Sequence, residues 1–417
     1  MSGSSIGPTR DLPTLRETED RLMTQSTETP ASRPDTIRIT ADSAAREATR
    51  GRGFKLGLAA AVVLLLGAAA AIATAVTPGE KPTASAAAAG TPATQLRLGY
   101  FGNVTHAPAL VGVQNGLVAD ALKAAGTGTL ATQVFNAGPA AIEALNAGAI
   151  DAAYVGPNPA INSFVKSNGQ SIAVIAGAAA GGAQLVVKPE ITSPDQLRGK
   201  VLATPQLGGT QDVALRAYLA SKGLATTPNG GGDVTVNPTE NAQTLKLFQD
   251  GKLDGAWLPE PWASRLVLQA GARVLVDEKD LWDGTGTGKP GLFPTTVLIV
   301  NRTFAAEHPQ TVEALLKGHV AAVDWLSRAS TAEKASTVNA ALKSASGAEL
   351  PADVIERALA NITFTTDPLA GAYPKLLHDG VTAGVTKEAD LTGLFDLHWL
   401  DDLHWLDDPH RPEEATR

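Results

Sequence analysis

The sequence predicts an α/β protein of two similar halves facing one cleft, and three observations carry that prediction. One stretch occurs twice, as Gly148-Ala-Ile-Asp-Ala-Ala-Tyr-Val-Gly-Pro-Asn-Pro159 and as Gly251-Lys-Leu-Asp-Gly-Ala-Trp-Leu-Pro-Glu-Pro-Trp262. Each copy follows an amphipathic helical pattern, over residues 140–147 and 242–250. Around both copies, short apolar runs alternate with helical patterns, the signature of βα units.

Within each copy the Gly suits the left-handed residue that closes a helix. The apolar run after it suits a short buried strand. The Pro-rich turn suits the start of the next helix. Each turn therefore sits at the carboxyl end of a strand, where open α/β sheets bind ligands.

The other elements follow in order. Residues 96–100 alternate as a first strand, and the loop after them offers Thr105 or His106 as the cap of a helix running to about residue 125. Residues 130–135 read as a strand, and Asn136-Ala-Gly-Pro139 as a turn opening the next helix. Strands at 151–154 and 171–176 complete a largely parallel first sheet. Gly177-Ala-Ala-Ala-Gly-Gly182 reads as a hinge-like stretch, and residues 184–188 as a strand leaving the first half. Residues 193–200 suit a short capped helix, 201–204 a strand, 205–211 a Gly-rich turn capped by Thr210, and 212–222 a helix. Strands at 234–236 and 273–276 flank the second copy. Residues 279–291 are Gly-rich and mobile in character, 295–300 return as a strand to the first half, and 308–344 and 352–359 are largely helical. The chain thus crosses between halves twice.

Composition excludes several function classes. The 417 residues contain no Cys, which removes disulfides, thiolate zinc sites, a Cys nucleophile and a lipid-modified N-terminal Cys. Of the net charge of −8, residues 396–417 carry −5, so the acidity is mostly a property of the tail. No basic stripe exists, which argues against nucleic acid. That tail repeats Asp-Leu-His-Trp-Leu-Asp at 396–401 and 402–407. The spacing puts His398 and His404 on different helix faces, so no metal site is expected.

Residues 1–53 lack apolar periodicity and read as a disordered cytoplasmic leader. Residues 54–76 hold an apolar run long enough to cross a bilayer, with Arg46, Arg50, Arg52 and Lys55 before it. The run is read as an uncleaved anchor through residues 56–76, with a cleaved signal peptide as the alternative. Either way the remainder is exported. Residues 77–95 form a flexible tether, 96–183 and 293–395 a first lobe, 184–292 a second lobe, and 396–417 an acidic repeat tail.

With its turns written out, the chain resembles the substrate-binding proteins of ATP-binding-cassette importers, nearest the aliphatic-sulfonate, taurine and nitrate branch. The residues that carry the resemblance are Leu98-Gly-Tyr-Phe101, Thr105-His-Ala-Pro-Ala109, Gly138-Pro-Ala-Ala-Ile-Glu-Ala-Leu145, Gly156-Pro-Asn-Pro159, Gly181-Gly182, Leu197-Arg-Gly-Lys200, Gly208-Gly-Thr210 and Pro259-Glu-Pro-Trp262. The resemblance implies a two-lobed type II periplasmic-binding fold, a venus flytrap. It also implies a monomeric, cofactor-free binder that is not an enzyme and that delivers a small anion to a permease and its ATPase. The alternatives to this reading are a binder of nitrate, bicarbonate or a thiamine-precursor pyrimidine, or a membrane-anchored sensory binding module. Many members in bacteria without an outer membrane carry a lipidated Cys, which this chain lacks.

An oxyanion of this kind is weakly basic and rich in acceptors, so it wants many donors. Helix N-termini supply unpaired N–H groups and partial positive charge. Starts near His106, Gly138-Pro139, Gly156-Pro157 and Gly208-Gly209-Thr210 answer that need, and Asn103, Thr105, Asn158, Gln206, Thr210 and Gln211 add neutral donors. Gly182 and Gly209 let backbone approach the ligand. His106 reads as a donor or a cap, and Trp257 and Trp262 as pocket walls or core. Glu260 reads as a partner of a protein cation, a cap, or a partner of a ligand amine. Arg216 and Arg265 read as structural or surface groups.

Overall fold

The computed structural model describes residues 90–347 and 349–406. The leader, the apolar run 54–76, most of the tether and residues 407–417 lie outside the described residues. Among the described residues, no helix is long and apolar enough to cross a membrane.

Two mixed sheets organise the fold. The larger sheet holds β1 (Gln95–Phe101), β2 (Thr129–Phe135), β3 (Ala152–Val155), β4 (Ile172–Gly181), β10 (Pro294–Asn301) and β11 (Ile362–Phe364), in the order β11-β4-β10-β3-β1-β2. The smaller holds β5 (Ala183–Val187), β6 (Val201–Thr204), β7 (Thr235–Pro238), β8 (Gly255–Pro259) and β9 (Arg273–Asp277), in the order β7-β6-β8-β5-β9. One core cluster runs through both, from Ile150 and Ile161 to Leu202, Trp257 and Tyr373.

The duplicated stretch forms equivalent units in the two sheets. Gly148 and Gly251 adopt φ 70° and 73°, the left-handed values a helix end requires. The Asp three residues on has the same task in each copy. Asp151 Oδ2 accepts from the Arg97 backbone N–H at 2.8 Å, and its own N–H donates to the Arg97 carbonyl. Asp254 Oδ2 accepts from the Val201 backbone N–H at 2.9 Å, and its own N–H donates to the Val201 carbonyl. Each carboxylate also meets a cation, Arg97 or Lys188. The shared Asp therefore clips β3 to β1 and β8 to β6, which fixes the register of the parallel pairs.

The sheets are less parallel than the sequence predicts. β10 runs antiparallel between β3 and β4, and β5 runs antiparallel between β8 and β9. Both are strands on which the chain arrives from the other sheet, so they enter against the direction of the βα units. The hinge-like stretch is also shorter than expected. Residues 177–181 continue β4, with Ala178, Ala179 and Ala180 buried, and only Gly181 and Gly182 turn, at φ 77° and 74°.

Three other expectations change. The helix from residue 105 to 125 is two helices, Ala107–Gln114 and Leu117–Ala124, broken at Gly116 with φ 74°. Segment 279–291 is mostly exposed but is pinned at one point, where Trp282 is buried and stacked on Phe293 at 5.8 Å. The first copy of the tail repeat enters a helix, His398–Leu406, whose Leu400 and Leu403 are buried.

The helices that follow β10 include two that touch both halves. Helix Ala352–Ala360 packs on helix Trp262–Ala270 of the smaller half and also on helix Thr331–Ser346 of the larger half, and β11 then lies in the larger sheet beside β4. Helix Tyr373–Thr382 next packs on helix Pro157–Lys166 of the larger half and helix Thr210–Ser221 of the smaller. No periodicity within these helices says which half they cover.

Candidate functional site

Six strand ends meet at one small cavity of about 30 Å³, room for about two waters. Phe101, Asn103, Thr105 and His106 follow β1, Asn136–Gly138 follow β2, and Gly156 follows β3. Pro205, Gly209, Thr210 and Gln211 follow β6, Asn241 follows β7, and Pro259 ends β8. Thr295 and Thr296 complete the wall from the start of β10.

The helices that begin here lack side-chain caps. Ala137, Gly156 and Gly209 occupy the N-cap positions of helices Gly138–Asn146, Pro157–Lys166 and Thr210–Ser221, and none has a side chain able to cap. Ser330 and Asn301 do cap helices elsewhere, accepting from the Glu333 and Phe304 N–H groups, while helices such as Leu117–Ala124, Ala352–Ala360 and Tyr373–Thr382 start uncapped as these do. A helix start leaves four N–H groups without intrahelical partners, with positive partial charge. At the cavity wall Pro139, Pro157 and Pro159 carry no N–H and the Gly209 N–H donates to the Gln206 carbonyl, so only the other first-turn N–H groups are left without a capping side chain.

Three further polar atoms at the wall are buried without a hydrogen-bond partner among the described residues: Thr210 Oγ1, Asn241 Oδ1 and Thr296 Oγ1. Thr210 is thus not the cap the sequence suggested. Gly209 takes that position, and Thr210 sits one residue inside the helix.

Among the described residues no Lys, Arg, Asp or Glu lines the cavity, and His106 is the one titratable group there. Burial pushes His106 down to about 3, so its ring is neutral near pH 7. Nδ1 accepts from the Phe101 N–H at 3.3 Å, which leaves Nε2–H as a donor. His106 does not cap a helix with its side chain.

The halves meet closely around this wall. A Cβ on Gly156 would overlap Thr210 Oγ1 from the opposite half. Trp262 Nε1 donates to Asn103 Oδ1 at 2.9 Å, and Asn136 Nδ2 donates to Glu240 Oε1 at 2.8 Å. A neighbouring cavity of about 480 Å³ shares Asn103, Asn136 and Asn241 with the small one and adds Trp262, Arg265, Phe135 and Leu350. Arg265 lies over the Trp262 ring at 4.5 Å.

Asn103, Thr105, His106, Gly138, Gly209, Thr210 and Gln211 are therefore gathered at one cavity, with Trp262 on its neighbour. The other sequence candidates lie elsewhere. Asn158 Nδ2 donates to the Leu376 carbonyl and the residue lines a different cavity. Pro139 faces an outer groove, and Gln206 is half-buried beside the turn and lines none of these cavities. Gly182 turns the chain between sheets, its carbonyl accepting from the Glu260 N–H at 2.8 Å.

Glu260 is fully buried and spent on protein partners. It accepts from the Ser264 N–H at 3.0 Å, Asn361 Nδ2 at 2.7 Å and Arg357 Nη1 at 3.1 Å. Burial pushes its carboxyl up, and those partners pull the other way. Arg216 is buried and structural, donating to Asp212 Oδ2 at 3.0 Å. Asp212 in turn accepts from Thr204 Oγ1 and the Gly208 N–H, which shapes the Gly-rich turn.

Trp257 belongs to the core, because it lies inside β8 while only Pro259 reaches the cavity. Its Nε1 donates to Glu278 Oε2 at 2.7 Å. Burial pushes Glu278 up to about 7 from an ordinary 4.5. The folded protein then binds this proton more tightly than the unfolded chain, so stability falls as pH rises from about 4.5 to about 7 and stays lower above. At about 1.4 kcal/mol per unit, the penalty reaches about 3 kcal/mol. Glu278→Gln keeps an acceptor for Trp257 and is expected to raise stability by up to that amount at pH 8, with no gain at pH 4.5. Urea unfolding at the two pH values checks this, and equal effects at both would refute it.

The chain is 26% identical to the taurine-binding periplasmic protein of Escherichia coli over 187 residues, 45% of this chain and 54% of the relative. It is 26% identical to a putative aliphatic sulfonates-binding protein of Bacillus subtilis over 247 residues, 55% of this chain and 65% of the relative. The matches thus span between half and two thirds of those relatives. The fold is that of the alkanesulfonate-binding protein of Xanthomonas axonopodis pv. citri bound to MOPS, with TM-score 0.57 and 23% identity over 71% of this chain and 96% of that one. The NMT1-like family profile matches residues 89–340, more than half of the sequence, and the chain belongs to the NMT1-like family.

Proposed function

We propose that the chain is the extracytoplasmic binding component of an ATP-binding-cassette importer and binds an aliphatic sulfonate, taurine or an alkanesulfonate. It is a binder and not an enzyme, and it passes its ligand to a permease. The observation that carries the reading is the meeting of helix starts at Ala137, Gly156 and Gly209 with the unpartnered Thr210 Oγ1, Asn241 Oδ1 and Thr296 Oγ1, at a wall that among the described residues holds no Lys or Arg. Neutral donors suit a weakly hydrated monoanion, and the names of the relatives agree. The adjoining 480 Å³ cavity, with its Trp262 and Phe135 walls, supports an organic tail over bare nitrate. In this reading residues 96–183 and 293–395 form one lobe and 184–292 the other. The run 54–76 is an anchor or a signal that exports both.

Calorimetric titration of the full chain with taurine, alkanesulfonates, nitrate and bicarbonate tests the proposal. Micromolar or tighter binding of a sulfonate is expected, with nitrate weaker. Affinity should stay within about twofold between pH 5 and 8, because His106 titrates far below that range. Sulfonates giving no heat would overturn the ligand class.

A further inference from the structure

A second cavity, about 240 Å³, lies between helix Thr210–Ser221, the turn Glu278–Leu281 and helix Tyr373–Thr382. We propose that it binds a small organic cation, a primary ammonium compound, held by Glu278 and Asn158 beside the Trp282 ring. The site stands on its own geometry, apart from the anion-binding reading.

Two unpaired groups here are acceptors, and Thr210 Oγ1, which borders this cavity too, can accept or donate. Asn158 is buried, and its Nδ2 donates to the Leu376 carbonyl at 3.0 Å. A carbonyl only accepts, so the amide orientation is fixed, and Oδ1 is left without a partner among the described residues. Glu278 is buried, and Trp257 engages only Oε2, leaving Oε1 without a hydrogen bond from a described residue. Such groups are costly to bury unless something donates to them.

Charge points the same way. Lys375 Nζ is held by Asp379 at 2.5 Å and lies 4.9 Å from the Trp282 ring centroid. The cavity thus has two carboxyl groups and one ammonium, and the charges around Glu278 are Asp277, Lys375 and Asp379. An incoming monocation balances the wall, whereas an anion would oppose Glu278. Its N–H groups meet Glu278 Oε1 and Asn158 Oδ1, and its methylenes meet Val213, Ala214 and Leu376. The volume greatly exceeds the need of a single water and suits an amine of a few carbons.

The test titrates the full chain with ethanolamine hydrochloride by calorimetry in phosphate at pH 7, and in unbuffered salt under a pH-stat. Saturable one-site binding is expected. A bound cation returns Glu278 to the ordinary carboxylate range, so about half a proton is released per site at pH 7. Glu278→Gln should weaken binding at least tenfold and abolish the release. Ala217→Phe, which fills the cavity without touching its polar groups, should also remove binding. Absence of saturation by about 10 mM overturns the proposal. So does binding that both variants leave unchanged, because the cation would then sit elsewhere.

Discussion

Replacing Gly156 by alanine is expected to weaken sulfonate binding by about 10- to 100-fold while leaving the melting temperature within about 2 °C. The new Cβ would overlap Thr210 Oγ1 and lie 3.2 Å from Thr210 Cβ, so rotating the hydroxyl away does not clear it. Gly156 follows β3 of the larger half and Thr210 opens a helix of the smaller half. Separating the halves relieves the overlap, so each half keeps its own packing and only the closed arrangement is penalised. Gly138→Ala provides the contrast. Its Cβ would overlap Pro159, which belongs to the same half, so no rigid-body motion relieves it. That variant should lose stability. Calorimetric titration with taurine and an alkanesulfonate, read beside thermal melts, separates the two. Unchanged affinity in Gly156→Ala would show that closure at this contact is not part of binding.

The second large effect concerns Asp212 and Arg216, an ion pair with both side chains fully buried. Asp212→Ala strands the guanidinium in the interior and removes the acceptor for Thr204 Oγ1 and the Gly208 N–H. Removing one partner of a buried pair typically costs about 3–5 kcal/mol, and urea unfolding should show a loss of that size. The double variant Asp212→Leu with Arg216→Met leaves no charge behind and should recover most of the stability. It does not restore the acceptor that holds the turn at Gly208 and Gly209, so anion binding should stay weak. A single variant costing under about 1 kcal/mol would mean the pair holds little.

These groups were legible in the sequence to very different degrees. The duplicated Gly-x-aliphatic-Asp stretch, the strand-end turns and the Gly-Pro helix starts are local patterns, and the cavity is built where they end. Trp257 stayed open between wall and core because an aromatic near a strand end reads the same whether it sits inside β8 or at its tip. Asn158 misled because the helix that takes up its amide, Tyr373–Thr382, comes more than two hundred residues later. Thr296 escaped notice because a Thr opening a strand carries no signal of a ligand. Asn241 had a faint one, since Thr239-Glu240-Asn241 is the kind of polar run that opens a helix. Glu260 looked like a misplaced charge in an anion pocket because its partners, Arg357 and Asn361, come from a segment whose path across the halves no short-range pattern reveals.

That segment has a mechanical consequence. Gly181, Pro294 and Ile362 lie on adjacent strands at one edge, with Ile362 opposite Gly181 and Pro294 opposite Ala180. In the two-lobed reading the two crossings, with β11 laid beside them, would act like the knuckles of a door hinge, permitting swinging about their common line and resisting twisting across it. Travel then grows with distance from that line. Spin labels in place of Asn136 and Glu240, at the free edge of the door, should report large displacements on opening, while a pair beside the hinge line should hardly move.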